Sequence, residues 1–110
     1  MIKLELLVNE NKVEEIKQLL REIGVKRINL TSIKQYDEDN IHIEGYRGST
    51  YTVDFTQKIK IEILLSSMEA IDRTLHMLSV ANINAEVFVY EVMKTYRIIE
   101  RETDKNTFSY

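Results

Sequence analysis

Lys58-Ile59-Lys60-Ile61-Glu62-Ile63-Leu64-Leu65 alternates charged and apolar side chains for six residues and closes on two leucines. A period of two puts the isoleucines on one face of an extended chain, so this is the clearest strand in the sequence. Ser66-Ser67-Met68-Glu69 follows with capping-box spacing and starts a helix whose core stripe is Ile71, Leu75 and Leu78. Glu86 to Tyr90, centred on Val87-Phe88-Val89, reads as the next strand.

The first half of the chain repeats this order. Lys3 to Val8 is a short β-rich opening, and Asn11-Lys12-Val13-Glu14 has the spacing of another capping box, with Asn11 as N-cap. Val13, Ile16, Leu20 and Ile23 form the apolar stripe of a first helix, and Gly24 stands where a left-handed residue would end it. Arg27 to Gln35 alternates again, with Ile28, Leu30 and, less strictly, Ile33 as its apolar side. Two β-α-β units side by side predict an α+β, ferredoxin-like domain: a four-stranded antiparallel sheet with both helices on one face. Nothing else in the chain is large enough to cover the other face, so self-association through it is expected. A short fifth extended segment is expected around Tyr96-Arg97-Ile98-Ile99, and a loose polar tail over about 101–110.

At 110 residues the chain fits one domain. It has no cysteine, which excludes thiol nucleophiles, disulfides and zinc–thiolate sites. Two histidines, His42 and His76, are too few for a histidine-rich metal centre. Three glycines, Gly24, Gly45 and Gly48, cannot build a P-loop or a Rossmann turn. Fifteen basic against eighteen acidic residues, a net charge of −3, leave no basic stripe for nucleic acid. No stretch is apolar enough to span a bilayer and Met1-Ile2-Lys3-Leu4-Glu5 opens no signal peptide, so a cytoplasmic protein is expected.

The connection from Tyr36 to Phe55 is the informative segment, because loops beyond roughly 12–15 residues are uncommon in compact domains. It holds an acidic cluster, Asp37-Glu38-Asp39, and then Tyr46-Arg47-Gly48-Ser49-Thr50-Tyr51, hydroxyls and an arginine suited to partner contacts. Ile41 and Ile43 alternate with His42 and Glu44, and Tyr51, Val53 and Phe55 with Thr52 and Asp54, so a β-hairpin is an equal reading. A protruding ribbon can be both. Three adjacent carboxylates rarely converge on one cation without further ligands, so the acidic cluster is expected to be a solvated turn, with no metal site.

Tyr46 to Phe55, followed by Lys58 to Ile63, resembles the T-loop and following strand of the P-II nitrogen regulatory protein family, and the layout matches back to Met1. The resemblance implies a non-catalytic homotrimer with its sheets facing inward and clefts that sense ATP, ADP and 2-oxoglutarate. It also implies T-loops that dock on a membrane transporter or a metabolic enzyme, so the chain would be cytoplasmic and recruited to a transporter without inserting in the membrane. Under the resemblance Tyr51 falls where family members can be uridylylated and Ser49 where others are phosphorylated. Arg47 matches the arginine that enters a channel mouth, against the plainer reading of a solvated loop arginine.

The departures concern the nucleotide. The family pocket needs glycines at the T-loop base, a glycine-rich loop ending in a lysine before the fourth strand, and two arginines near the C-terminus. Gln35, Asp37 and Ile41 stand where the T-loop glycines would be, Ala81-Asn82-Ile83-Asn84-Ala85 replaces the glycine-rich loop, and Glu86 takes the lysine's place. Arg97 is kept but its partner is Ile99, with Arg101 two residues late; Lys58 is kept. Lys58, Arg97, Gln35 and Asp39 are therefore the residual ligand contacts that the resemblance allows. Each charge-assisted hydrogen bond to phosphate is worth roughly 1.5–3 kcal/mol. A loss of about 4 kcal/mol moves a micromolar site to around millimolar. Either no cofactor or a weak, atypical hold on an adenine nucleotide is expected.

Four readings remain at this stage: a P-II-like regulator with a changed or lost nucleotide site, a conventional P-II sensor of ATP, ADP and 2-oxoglutarate, a small ferredoxin-fold hydrolase, and a purely structural trimer. The hydrolase wants an anion cradle of backbone amides that no glycine-rich loop here supplies.

Overall fold

In the computed structural model the described residues are 1–38, 42–46, 49–53 and 55–100, with 42–46 and 49–53 described by backbone pairing alone. The order is β1 (Ile2–Asn9), a 3-10 turn (Glu10–Lys12), α1 (Val13–Glu22), β2 (Asn29–Tyr36), β3 (His42–Tyr46), β4 (Ser49–Val53), β5 (Phe55–Leu65), α2 (Met68–Val80) and β6 (Glu86–Glu91). Four of the strands form one sheet in the order β2-β5-β1-β6, with every pairing antiparallel. This is the ferredoxin-like arrangement expected, with β1 and β5 in the middle.

Register decides which side chains meet. Leu4 faces Ile63, Leu6 faces Ile61 and Val8 faces Ile59 across the β1–β5 pair. Opposed residues share a face of the pleat, so these six point the same way. Ile16 and Leu20 of α1 and Ile71 and Leu78 of α2 complete one core with them, and both helices cover this face. Leu30 lies opposite Ile61 on the same side, but it sits on an edge strand and stays 48% exposed. Among the described residues no helix is long and apolar enough to cross a membrane.

The open face mixes charge with apolar and aromatic groups. Lys3 and Glu62 pair at 2.8 Å, Lys60 reaches Glu62 at 4.0 Å, and the Lys3 ammonium lies 5.0 Å from the centre of the Tyr90 ring. Leu64, Phe88 and Tyr90 stand on this side, each two-fifths or more exposed. The Lys3 hydrogen bond holds the Glu62 carboxyl below its usual value, and the same bond raises the Lys3 ammonium.

Both helices stop by the same device. After α1, Gly24 takes φ +92, its N–H donates to the Arg21 carbonyl and that of Val25 to the Leu20 carbonyl. After α2, Asn82 takes φ +56, its N–H donates to Ser79 and that of Ile83 to Leu78. These are paired Schellman closures, the second with asparagine, the side chain that most readily follows glycine into the left-handed region.

Several local expectations are corrected. Asn11 does not cap α1: it lies in the 3-10 turn, and no side chain caps that turn or the helix. The second cap is Ser67 rather than Ser66; its Oγ accepts from the Ala70 N–H at 3.2 Å, which leaves Glu69 too early to close a box. Thr74 is fully buried in the α2 stripe and Leu75 only half so, because the Thr74 hydroxyl donates to the Ala70 carbonyl at 2.8 Å and needs no outside partner. β2 begins at Asn29 rather than Arg27, and β5 at Phe55 rather than Lys58. Around 96–99 there is a single bridged residue, Ile98, instead of a strand. The tail from 101 lies outside the described residues.

Two outcomes follow from these contacts. Asn82→Ala should lower stability by about 1 kcal/mol while Asn82→Gly stays within a few tenths, measured by urea unfolding. Equal losses in both would remove the backbone argument. For the Lys3–Glu62 pair, a depressed carboxyl stabilises the fold above its unfolded value of 4.5 and loses that contribution as pH falls through its folded value. Raised Lys3 contributes below 10.5 and loses it as pH rises through its folded value. Glu62→Gln should therefore be less stable than wild type at pH 7, and the gap should close by about pH 3. A gap unchanged at low pH would contradict the pairing.

Candidate functional site

Tyr36 pairs with Phe55, so the chain leaves β2 and re-enters β5 at the same end of the sheet. Between them β3 and β4 form their own two-stranded antiparallel sheet, with Tyr46 opposite Ser49, Gly45 opposite Thr50 and Glu44 opposite Tyr51. The hairpin expectation holds. Arg47 and Gly48, between β3 and β4 in the sequence, lie outside the described residues, as do Asp39 and Ile41.

At the foot of the ribbon, pairing brings several of the expected residues to the open face. Lys58 of β5 lies opposite Asn9 of β1 on one side and Ile33 of β2 on the other, and Gln35 lies opposite Thr56 one step nearer the ribbon. Lys58 donates from Nζ to the Asn9 Oδ1 at 2.9 Å. Glu86 begins β6 opposite Leu7, two residues before Asn9 along β1, and is exposed. Lys58, Gln35 and Glu86 thus share one end of one face. Arg97 is exposed and follows the end of β6, which closes at Glu91 opposite Ile2.

In the segment before β6, the first backbone donors are committed to closing α2. The amides of Asn82 and Ile83 serve the carbonyls of Ser79 and Leu78, and Ile83 and Ala85 pack against the core. A phosphate cradle needs several free amides converging on one point. Asn82 and Ile83 are unavailable for that. Chemically, this end offers an ammonium engaged with an amide oxygen, the carboxylates of Glu86 and of Asp37 and Glu38 after β2, and amide and hydroxyl groups. Among the described residues no three of His, Asp and Glu gather around a point that could hold a metal ion. His76 is exposed on α2.

Two functional positions escaped sequence reading, Asn9 as the partner of Lys58 and Asn82 as a helix stop. The second had a signal: an asparagine just after the α2 apolar stripe, in a chain short of glycine. The first had none, because it depends on β1–β5 register over a separation of 49 residues.

Known proteins match this architecture over almost its whole length. The family model described as nitrogen regulatory protein P-II matches residues 1–102. The chain is 34% identical over 104 residues to the nitrogen regulatory protein P-II of Azospirillum brasilense, covering 89% of this chain and 91% of that one. It is 33% identical over 107 residues to that of Rhizobium meliloti (strain 1021), covering 94% and 96%. With nitrogen regulatory protein P-II 1 of Escherichia coli (strain K12) it shares 29% over 110 residues, again covering 94% and 96%. The chain belongs to the P-II family of nitrogen regulatory proteins, which are signal-transducing regulators rather than enzymes.

Proposed function

We propose that this protein is a cytoplasmic, homotrimeric regulator, one domain over residues 1–110, whose β3–β4 ribbon is a T-loop that docks on a membrane transporter or a metabolic enzyme. Its nucleotide site is changed relative to the family. The observation that carries this reading is the ribbon itself: a separate two-stranded sheet inserted between β2 and β5, in whose sequence Tyr46, Arg47, Gly48, Ser49, Thr50 and Tyr51 are consecutive. Hydrogen-bonding and aromatic residues on a protruding element are the composition of a contact surface. Ser49 and Tyr51 carry the hydroxyls that the family resemblance marks for modification. Recruitment to a transporter follows from docking, with no part of the chain entering the bilayer.

The changed-ligand part is supported by the committed amides of Asn82 and Ile83 and by the Glu86 carboxylate at the same end as Lys58. A carboxylate there opposes phosphate charge, and the remaining contacts (Lys58, Gln35, Asp39 and Arg97) hold at most an adenine nucleotide weakly. The second reading, a conventional sensor of ATP, ADP and 2-oxoglutarate, is favoured by the printed name of the relatives and by retention of Lys58.

Deletion of residues 42–53 with a short glycine linker tests the docking element. Intact protein used as bait should retain one transporter or enzyme that the deletion variant loses. Arg47→Ala and Tyr51→Ala should each weaken that capture by roughly tenfold or more, as contact hot spots do. Equal capture by all four proteins would sink the proposal.

A further inference from the structure

Toward the ribbon, the β2–β5 pair ends on two aromatic residues. Tyr36 closes β2 and lies opposite Phe55, the first residue of β5. Tyr36 is an even number of residues from Leu30 along the strand, so it shares Leu30's face, the one that α1 and α2 cover. That cover has run out here: Tyr36 is 61% and Phe55 40% exposed. Lys34 stands on the same face opposite Gln57, and its ammonium lies 4.9 Å from the centre of the Phe55 ring.

This rung is also where the ribbon is tied to the sheet. β4 ends at Val53 and β5 begins at Phe55, so a single residue separates them, against the five residues 37–41 between β2 and β3. His42 opposite Val53 is the first rung of the ribbon. Fixing Phe55 therefore limits where Val53, and the ribbon with it, can go. The rung is prone to fraying, because it is terminal and β2 is an edge strand. An aromatic pair across antiparallel strands and a cation over a ring each shift such an opening equilibrium by roughly two- to fivefold. We propose that Lys34, Tyr36 and Phe55 form a clasp at the root of the ribbon, positioning residues that keep the last rung closed and so hold β3 and β4 in place for a partner. The clasp rests on the T-loop reading above and extends it to three residues outside 46–51. Its aromatic rings add little to the core, since both stay exposed; what they border is the junction with the ribbon.

The test is hydrogen–deuterium exchange of the full chain, followed over 42–53 and, as a control, over 2–9, together with partner capture by the same proteins. Tyr36→Ser with Phe55→Ser should accelerate exchange over 42–53 by roughly tenfold, and Lys34→Gln by roughly two- to fivefold, with 2–9 unchanged. Tyr36→Phe with Phe55→Tyr keeps both rings and should match the wild type. Capture should fall in the same order. Circular dichroism checks folding; where the double serine variant does not fold, Lys34→Gln, which removes only the cation, decides. Exchange over 42–53 that stays at the wild-type rate overturns the clasp, as does equal acceleration over 2–9, the mark of a merely structural role. A wild type already unprotected over 42–53 overturns it as well. If deletion of 42–53 abolishes capture while the serine variant captures like wild type, the clasp falls and the docking reading stands. If the deletion captures as well as the intact chain, the docking reading falls and the clasp's role in presentation falls with it.

Discussion

The register of β1 against β5 is the constraint on which the rest of this molecule depends. With Leu6 opposite Ile61, every apolar residue of the two central strands that the helices need is turned toward them, and Lys3, Glu5, Lys60 and Glu62 are turned away. A slip of one residue would exchange the faces, burying four charges under α1 and α2 and exposing the core. The same register sets the functional end, because it puts Asn9 beside Lys58 and fixes where β5 must be entered from the ribbon. Fold and site are consequences of one pairing.

Much of this was legible because the signals were periodic. The Ile59, Ile61 and Ile63 alternation, the Ile16 and Leu20 spacing, and a glycine after the first helix each have one physical reading, and the sheet with its two helices followed from them. The capping residues were less legible. Asn11 has the right type and spacing for an N-cap, but a 3-10 turn brings the chain out of β1 before α1 begins, and the cap geometry is never formed. Ser66 and Ser67 are adjacent serines, and only the three-dimensional path shows that the second one accepts from Ala70. Thr74 looks polar in a sequence pattern, yet its hydroxyl is satisfied within its own helix and it packs as a core residue. At the site, Lys58, Gln35 and Glu86 share an end of the sheet, a grouping that came from the family resemblance and not from any periodic signal.

Glycine scarcity has a different meaning once the turns are seen. The α2 stop, where glycine would be ordinary, uses Asn82, and that stop draws two amides of the following segment into helix closure. The strand pairing is that of a ferredoxin-like sheet, and the Asn82 and Ile83 amides before β6 finish a helix. Charge follows the same logic, with a carboxylate at Glu86 and carboxylates in the turn after β2, both at the ribbon end of the sheet.

The central claim is a P-II scaffold that retains its effector ribbon with a changed ligand site. The most direct measurement is a calorimetric titration of ATP with Mg²⁺ into the protein, with and without 2-oxoglutarate. The account predicts affinity no tighter than about millimolar, consistent with losing roughly 4 kcal/mol of phosphate contacts, and no gain from 2-oxoglutarate. Micromolar, Mg²⁺-dependent ATP binding that tightens with 2-oxoglutarate would contradict it.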